Sequence, residues 1–181
     1  PFFIFTAIGI LCLIVFLVIL PAQRVSKTDE NKIVKNLVRI ARSWPALAGL
    51  LVGILISGAN ETVNLIFGLW IEDRFGINFA ALTAASVVIG FSELGGGVMT
   101  SLFLDTFGKR RMIWFSIGVN TLASVLLPLM QGNLSWAMAG LGLFFISFEI
   151  SLVSTLTLMS EVVPDARATM MAATLGGFSL G

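Results

Sequence analysis

Apolar residues run almost unbroken through residues 2–20, 46–70, 79–104, 112–130 and 136–159, and a sixth run starts near Ala168. Each of the first five is close to the ~20 residues that a helix needs to cross the hydrocarbon core of a bilayer. In lipid, only helices and closed barrels satisfy their own backbone polar groups, and runs this long are helices. The pattern predicts an all-α fold, a polytopic membrane helical bundle. It divides into a transmembrane helix at 1–20, a basic connection at 21–45 and a transmembrane bundle at 46–181. The chain opens inside one apolar run and closes inside another, so it is expected to be a fragment of a longer protein.

Composition agrees with the pattern. Of the 181 residues, 57% are hydrophobic and 12% are charged, and the mean hydropathy is +0.99. Soluble domains carry roughly 45–50% apolar residues, so the expected solvent is a lipid bilayer. Histidine and tyrosine are absent and Cys12 is the one cysteine. That leaves no histidine metal site, no histidine-assisted nucleophile and no disulfide framework. No metal, cofactor or nucleic acid is expected, and no enzyme activity.

The net charge of +1 says little, but the placement of the charges says more. Arg24, Lys27, Lys32, Lys35, Arg39 and Arg42 sit in the first connection, Lys109, Arg110 and Arg111 in the third, and Arg167 in the fifth. Only Arg74 lies on the other connections. Cations on alternate connections mark one face of the membrane, and that face is cytoplasmic. The expected location is the plasma (inner) membrane, with multiple passes.

Within the first connection, Ile33, Leu37, Ile40, Ala41 and Trp44 fall on one helical face and the cations point elsewhere. This spacing fits an amphipathic helix lying on the inner leaflet. A solvated basic linker would explain the charges equally well. Small residues mark close helix approaches: Gly49 with Gly53, Gly177 with Gly181, and a stripe of Ser86, Gly90, Glu93, Gly97 and Ser101 down the third run.

One connection carries more than charge. "SLFLDTFGKRR", residues 101–111, places Asp105 at the end of the third run, Gly108 at the turn and Lys109, Arg110 and Arg111 at the start of the fourth. It resembles the signature loop of the major facilitator superfamily, roughly G-x-L-a-D-R-x-G-R-[RK]-x-x-L. Asp105, Gly108, Lys109 and Arg110 fill its acidic, glycine and basic positions, while Ser101 and Thr106 depart from it. "SEVVPDARATMM", residues 160–171, resembles that family's tenth-to-eleventh connection. The resemblance covers essentially the whole chain. It implies the C-terminal half of a transporter, from the sixth helix to the start of the eleventh, with the N-terminal half missing. "DRFG" at 73–76 is a closer match to part of the signature but lacks the following cations, and reads as a solvated turn.

Three glutamates, Glu61, Glu93 and Glu149, fall well inside apolar runs. An ionised residue at the bilayer centre costs at least ~2.5–3.5 kcal/mol on insertion scales, so such residues usually face a cavity, a partner or a proton path. Desolvation favours the neutral form of any carboxyl group, which suits proton uptake and release. Glu61 has the best context, in a polar stripe with Ser57, Asn60 and Asn64, on the helix that the resemblance makes a cavity-lining one. A structural hydrogen bond between helices is the competing reading. Glu93 fits a cavity or a protonated interhelical contact equally well. Glu149 lies nearly opposite Ser147 on its helix, so if the serines of that helix face a cavity, Glu149 faces packing. Asn120 reads as packing.

At the cation-rich surface, Asp105, Gly108, Lys109, Arg110, Arg111, Glu161 and Arg167 form a candidate cytoplasmic gate. The competing reading is charge retention that sets topology only.

The expected function is secondary active transport of a small molecule by alternating access, coupled to protons and in the direction of efflux. Proton-coupled uptake of a sugar or metabolite is the nearest alternative. A non-transporting receptor or assembly subunit is the alternative from another class. The expected partners are the lipid bilayer, the small-molecule substrate and protons.

Overall fold

The computed structural model describes residues 2–19, 30–76, 79–130 and 132–181. Among the described residues every regular element is helical: α1 (Phe2–Ile19), α2 (Glu30–Arg42), α3 (Trp44–Phe75), α4 (Phe79–Phe107), α5 (Lys109–Leu126), α6 (Leu134–Val162) and α7 (Arg167–Leu180). The part of the basic connection that holds Arg24 and Lys27 lies outside the described residues. The chain forms two units, Pro1–Ile33 and Val34–Gly181. The first unit contains α1, a helix without a charged residue.

Among the described residues four helices are long and apolar enough to cross a membrane: Trp44–Phe75, Phe79–Phe107, Lys109–Met130 (α5 with the turn after it) and Leu134–Val162. At ~1.5 Å per residue, the 29–32 residues of α3, α4 and α6 exceed the ~30 Å hydrocarbon core. The helices therefore continue past the apolar runs into residues such as Glu72, Asp73 and Glu161. α5 gives way at Leu127–Met130 to a tighter 3₁₀ turn. Pro128 accounts for the change, since it has no N–H for an α-helical bond.

In the second unit α6 is the central helix. It packs along α4 and α5 and also along α3 and α7. Near its start, Leu141, Phe144 and Phe145 meet Ile71, Ala81, Ala85, Ala123 and Leu127. Near its end, Met159 and Val163 join Ile40, Ala46, Ala166 and Met170. Leu104, Met112 and Ile150 form a smaller cluster.

Glycines set how closely the helices approach. A Cβ on Gly49 would collide with the Met159 side chain, and one on Gly53 would stand 2.7 Å from the Phe178 ring. Gly177 faces Leu50 and Ile54. Two glycines have positive φ, Gly76 at 78° and Gly108 at 83°. Both end helices at tight reversals that a side chain would strain.

Polar pairs stitch the helices together as well. Asn120 of α5 donates to the Phe144 carbonyl (3.0 Å) and to Ser147 Oγ (3.2 Å) of α6. Ser151 Oγ donates to Ser116 Oγ at 2.8 Å. Asn120 thus acts in packing.

Candidate functional site

The face of α4 that packs on α6 is formed by Ala81, Ala85, Gly96, Thr100 and Leu104, all buried. At ~100° per residue, Ser86, Gly90, Glu93 and Gly97 lie to one side of that seam. The small-residue stripe was expected to be a helix–helix face. Among the described residues it lines a space beside the seam, with Gly97 approaching Glu149 of α6, and the seam itself is the neighbouring arc.

That space is a cavity of about 780 Å³ lined by Ser86, Val87, Gly90, Phe91, Glu93, Leu94, Gly97 and Val98 of α4 and by Glu149 of α6. Glu149 enters it because Gly96 and Gly97 leave room. A Cβ on Gly96 would stand 2.8 Å from the Glu149 Cβ, and one on Gly97 would stand 3.8 Å from Glu149 Oε1. Glu93 and Glu149 are both half-buried. Among the described residues the lining holds two carboxylates and no cation, with apolar and aromatic walls. Such a surface has the chemistry to meet the positive end of an amphipathic molecule against Phe91.

The serines of α6 resolve the choice left open for Glu149. Ser147, Ser151 and Ser154 are all buried, and the first two bond to Asn120 and Ser116 of α5. The serine face is therefore the packed face, and Glu149, almost opposite Ser147, is the residue on the cavity.

The α3 candidates are placed differently. Ser57 is buried and donates to the Phe178 carbonyl of α7 at 2.6 Å. Asn60 is buried, with no hydrogen-bond partner for Oδ1. Asn64 is half-buried, and Glu61 is exposed. None of the four lines the cavity that holds Glu93 and Glu149.

At the cation-rich end, Asp105, Gly108, Lys109, Arg110, Arg111 and Glu161 surround a second cavity of about 510 Å³. Lys109 Nζ forms an ion pair with Glu161 Oε1, tying the start of α5 to the end of α6. Arg167 does not line this cavity; its Nε donates to the Ser160 carbonyl at 2.9 Å. Asp105 makes no ion pair among the described residues.

A second tie at the same end was not foreseen. Arg39 of α2 pairs with Asp165, in the turn between α6 and α7, at 3.0 Å, and Asn36 donates to Thr169 of α7 at 3.3 Å. The partners are 126 and 133 residues apart in sequence. The spacing of α2 put Ile33, Leu37, Ile40, Ala41 and Trp44 together on a face expected to lie on the inner leaflet; Ile40 of that face is instead buried against Met159, Val163, Ala166 and Met170.

A family model described as Major Facilitator Superfamily matches residues 1–181. "Uncharacterized MFS-type transporter YceJ" of Bacillus subtilis (strain 168) is 22% identical over 171 residues, which are 94% of this chain and 44% of that protein. The chain thus spans less than half the length of this relative. No solved structure matches the chain.

Proposed function

The chain belongs to the major facilitator superfamily, and from that premise we propose that it forms the C-terminal half of a proton-coupled transporter that exports an amphipathic small molecule. Membership points to a transporter rather than an enzyme, and to an integral, multi-pass membrane protein. In the proposed arrangement α1 is the sixth helix, α3 to α6 are the seventh to tenth, and α7 begins the eleventh. The cation-rich end faces the cytoplasm, in the plasma (inner) membrane.

One observation carries the reading: Glu93 and Glu149, from two different helices, line one cavity with no cation among the described residues of its lining. Two carboxylates that line one space repel each other, and in this reading a proton shared between them relieves that repulsion. A substrate that needs the negative charge then competes with the proton, which is the elementary requirement of exchange. Val87, Phe91, Leu94 and Val98 supply apolar walls, whereas Ser86 is the one uncharged polar side chain in the lining. This suits an amphipathic solute better than a sugar. Glu61, exposed on α3, takes second place.

Alternating access would follow from rocking this bundle against its partner half. The Lys109–Glu161 pair and the cavity around Asp105 would hold the cytoplasmic end closed in one state. The test is flux in proteoliposomes under an imposed pH gradient, with an amphipathic fluorescent dye as the solute. Dye movement that follows the gradient supports the reading; movement indifferent to it contradicts proton coupling.

A further inference from the structure

We infer that α2 is an interfacial anchor that seats the α6–α7 junction on an anionic phospholipid surface. The helix has 13 residues, about 20 Å at ~1.5 Å per residue, which is too short to cross the hydrocarbon core. One side is fixed to the bundle. Ile40, 4% exposed, packs with Ala46, Met159, Val163, Ala166 and Met170. Asn36 and Arg39, both on one side of Ile40 around the helix, bond to Thr169 and Asp165.

The rest of the surface divides into two arcs. At ~100° per residue, Val34, Leu37, Val38 and Ala41 share one arc, and all four are exposed. Lys35 and Arg42, seven residues apart, share the next arc with Arg39. Both are exposed and make no ion pair among the described residues. Trp44, the first residue of α3 and one residue beyond the end of α2, is 81% exposed.

An apolar arc left in water on so short a helix needs cover. The adjoining cationic arc identifies the cover by charge complementarity. Apolar side chains enter the headgroup–acyl boundary while lysine and arginine meet anionic headgroups, the arrangement of interfacial helices. A neighbouring protein helix would cover the apolar arc without explaining the two unpaired cations. Because the packed side of α2 grips Asp165 and Thr169, the anchor fixes the height of the α6–α7 junction at the membrane surface. This inference does not depend on the transport reading, since contact with lipid requires no flux.

The experiment compares the protein with its Trp44→Phe variant, so that the difference in fluorescence isolates Trp44. Each is reconstituted into vesicles of phosphatidylcholine alone and of phosphatidylcholine with phosphatidylglycerol. Quenching is measured with lipids brominated high on the acyl chain and with aqueous acrylamide. The expected result is Trp44 quenching by brominated lipid that is at least twofold stronger in the anionic vesicles and weakens with salt. Lys35→Glu with Arg42→Glu removes that anionic preference and leaves the quenching in phosphatidylcholine. Equal quenching in both vesicles, or quenching by acrylamide alone, overturns the inference. Protection from both quenchers overturns it too, and assigns the face to another protein segment.

Discussion

Glu149 of α6 rests against Gly96 of α4, so close that a Cβ on the glycine would lie 2.8 Å from the Glu149 Cβ and 2.7 Å from the Ile146 carbonyl oxygen. The glycine allows α4 and α6 to meet and lets the carboxylate project past the seam. Because one of the contacts is backbone, the site cannot adjust by turning a side chain. Gly96→Ala is expected to cost about 1–3 kcal/mol by overpacking and to slow flux, read by unfolding in mixed micelles and by proteoliposome assay. Gly118, whose Cβ would meet nothing within 4 Å, is the control. Gly118→Ala should leave both measurements unchanged within error.

The Lys109–Glu161 pair links α5 to α6 at an exposed position, so its weight should fall on transport kinetics. Lys109→Glu is expected to slow flux severalfold at normal membrane insertion. Lys109→Glu combined with Glu161→Lys should recover most of the rate. Failure of the double exchange to recover any flux would remove the pair from the gate. Asp105→Asn should likewise insert normally and transport poorly, and normal transport would reduce its role to topology.

Asn120 is expected to matter to stability and not to coupling. Its amide bonds to the Phe144 carbonyl and to Ser147 Oγ, and hydrogen bonds between transmembrane helices are worth roughly 0.6–1.7 kcal/mol. Asn120→Ala should lose about that much in an unfolding titration. The pH profile of flux should keep its shape, and a displaced profile would mean that Asn120 reaches the site.

Gly108 has φ 83° between α4 and α5. A Cβ there would meet no neighbour within 4 Å, so the effect of substitution isolates the backbone. Gly108→Ala and Gly108→Asn are both expected to destabilise by about 1–3 kcal/mol, since with ψ at 136° the backbone lies outside the left-handed helical well that asparagine tolerates. Unchanged stability in either variant would contradict this account of the turn.

Much of the fold was legible because lipid imposes a simple rule. Long apolar runs must be helices, and the runs at 46–70, 79–104 and 136–159 lie inside α3, α4 and α6. Their true ends were hidden, because a helix goes on past the hydrocarbon into polar sequence, as α3 does through Glu72, Asp73 and Arg74. Which face of each helix is packed was less legible. In lipid the polar residues of a span serve equally as contacts between helices or as cavity lining. The serines of α6 and Glu149 show the ambiguity: the weaker polar groups are buried against α5 and the carboxylate faces the cavity. On α4 the small residues divide the same way, with Gly96 in the seam and Gly90 beside the cavity. Pairings such as Arg39 with Asp165 left no sequence signal at all, since each is one charge among several on the same surface.

The central claim is that Glu93 and Glu149 together carry the proton. It is tested most directly by flux of an amphipathic dye, driven by a pH gradient, in proteoliposomes holding Glu149→Gln, Glu93→Gln or Glu61→Gln. All three variants are first matched for folded, inserted protein. The account predicts at least a tenfold loss of gradient-driven flux in Glu149→Gln and Glu93→Gln, and a smaller loss in Glu61→Gln. Gradient-driven flux that survives both cavity substitutions, or that fails only in Glu61→Gln, would contradict it.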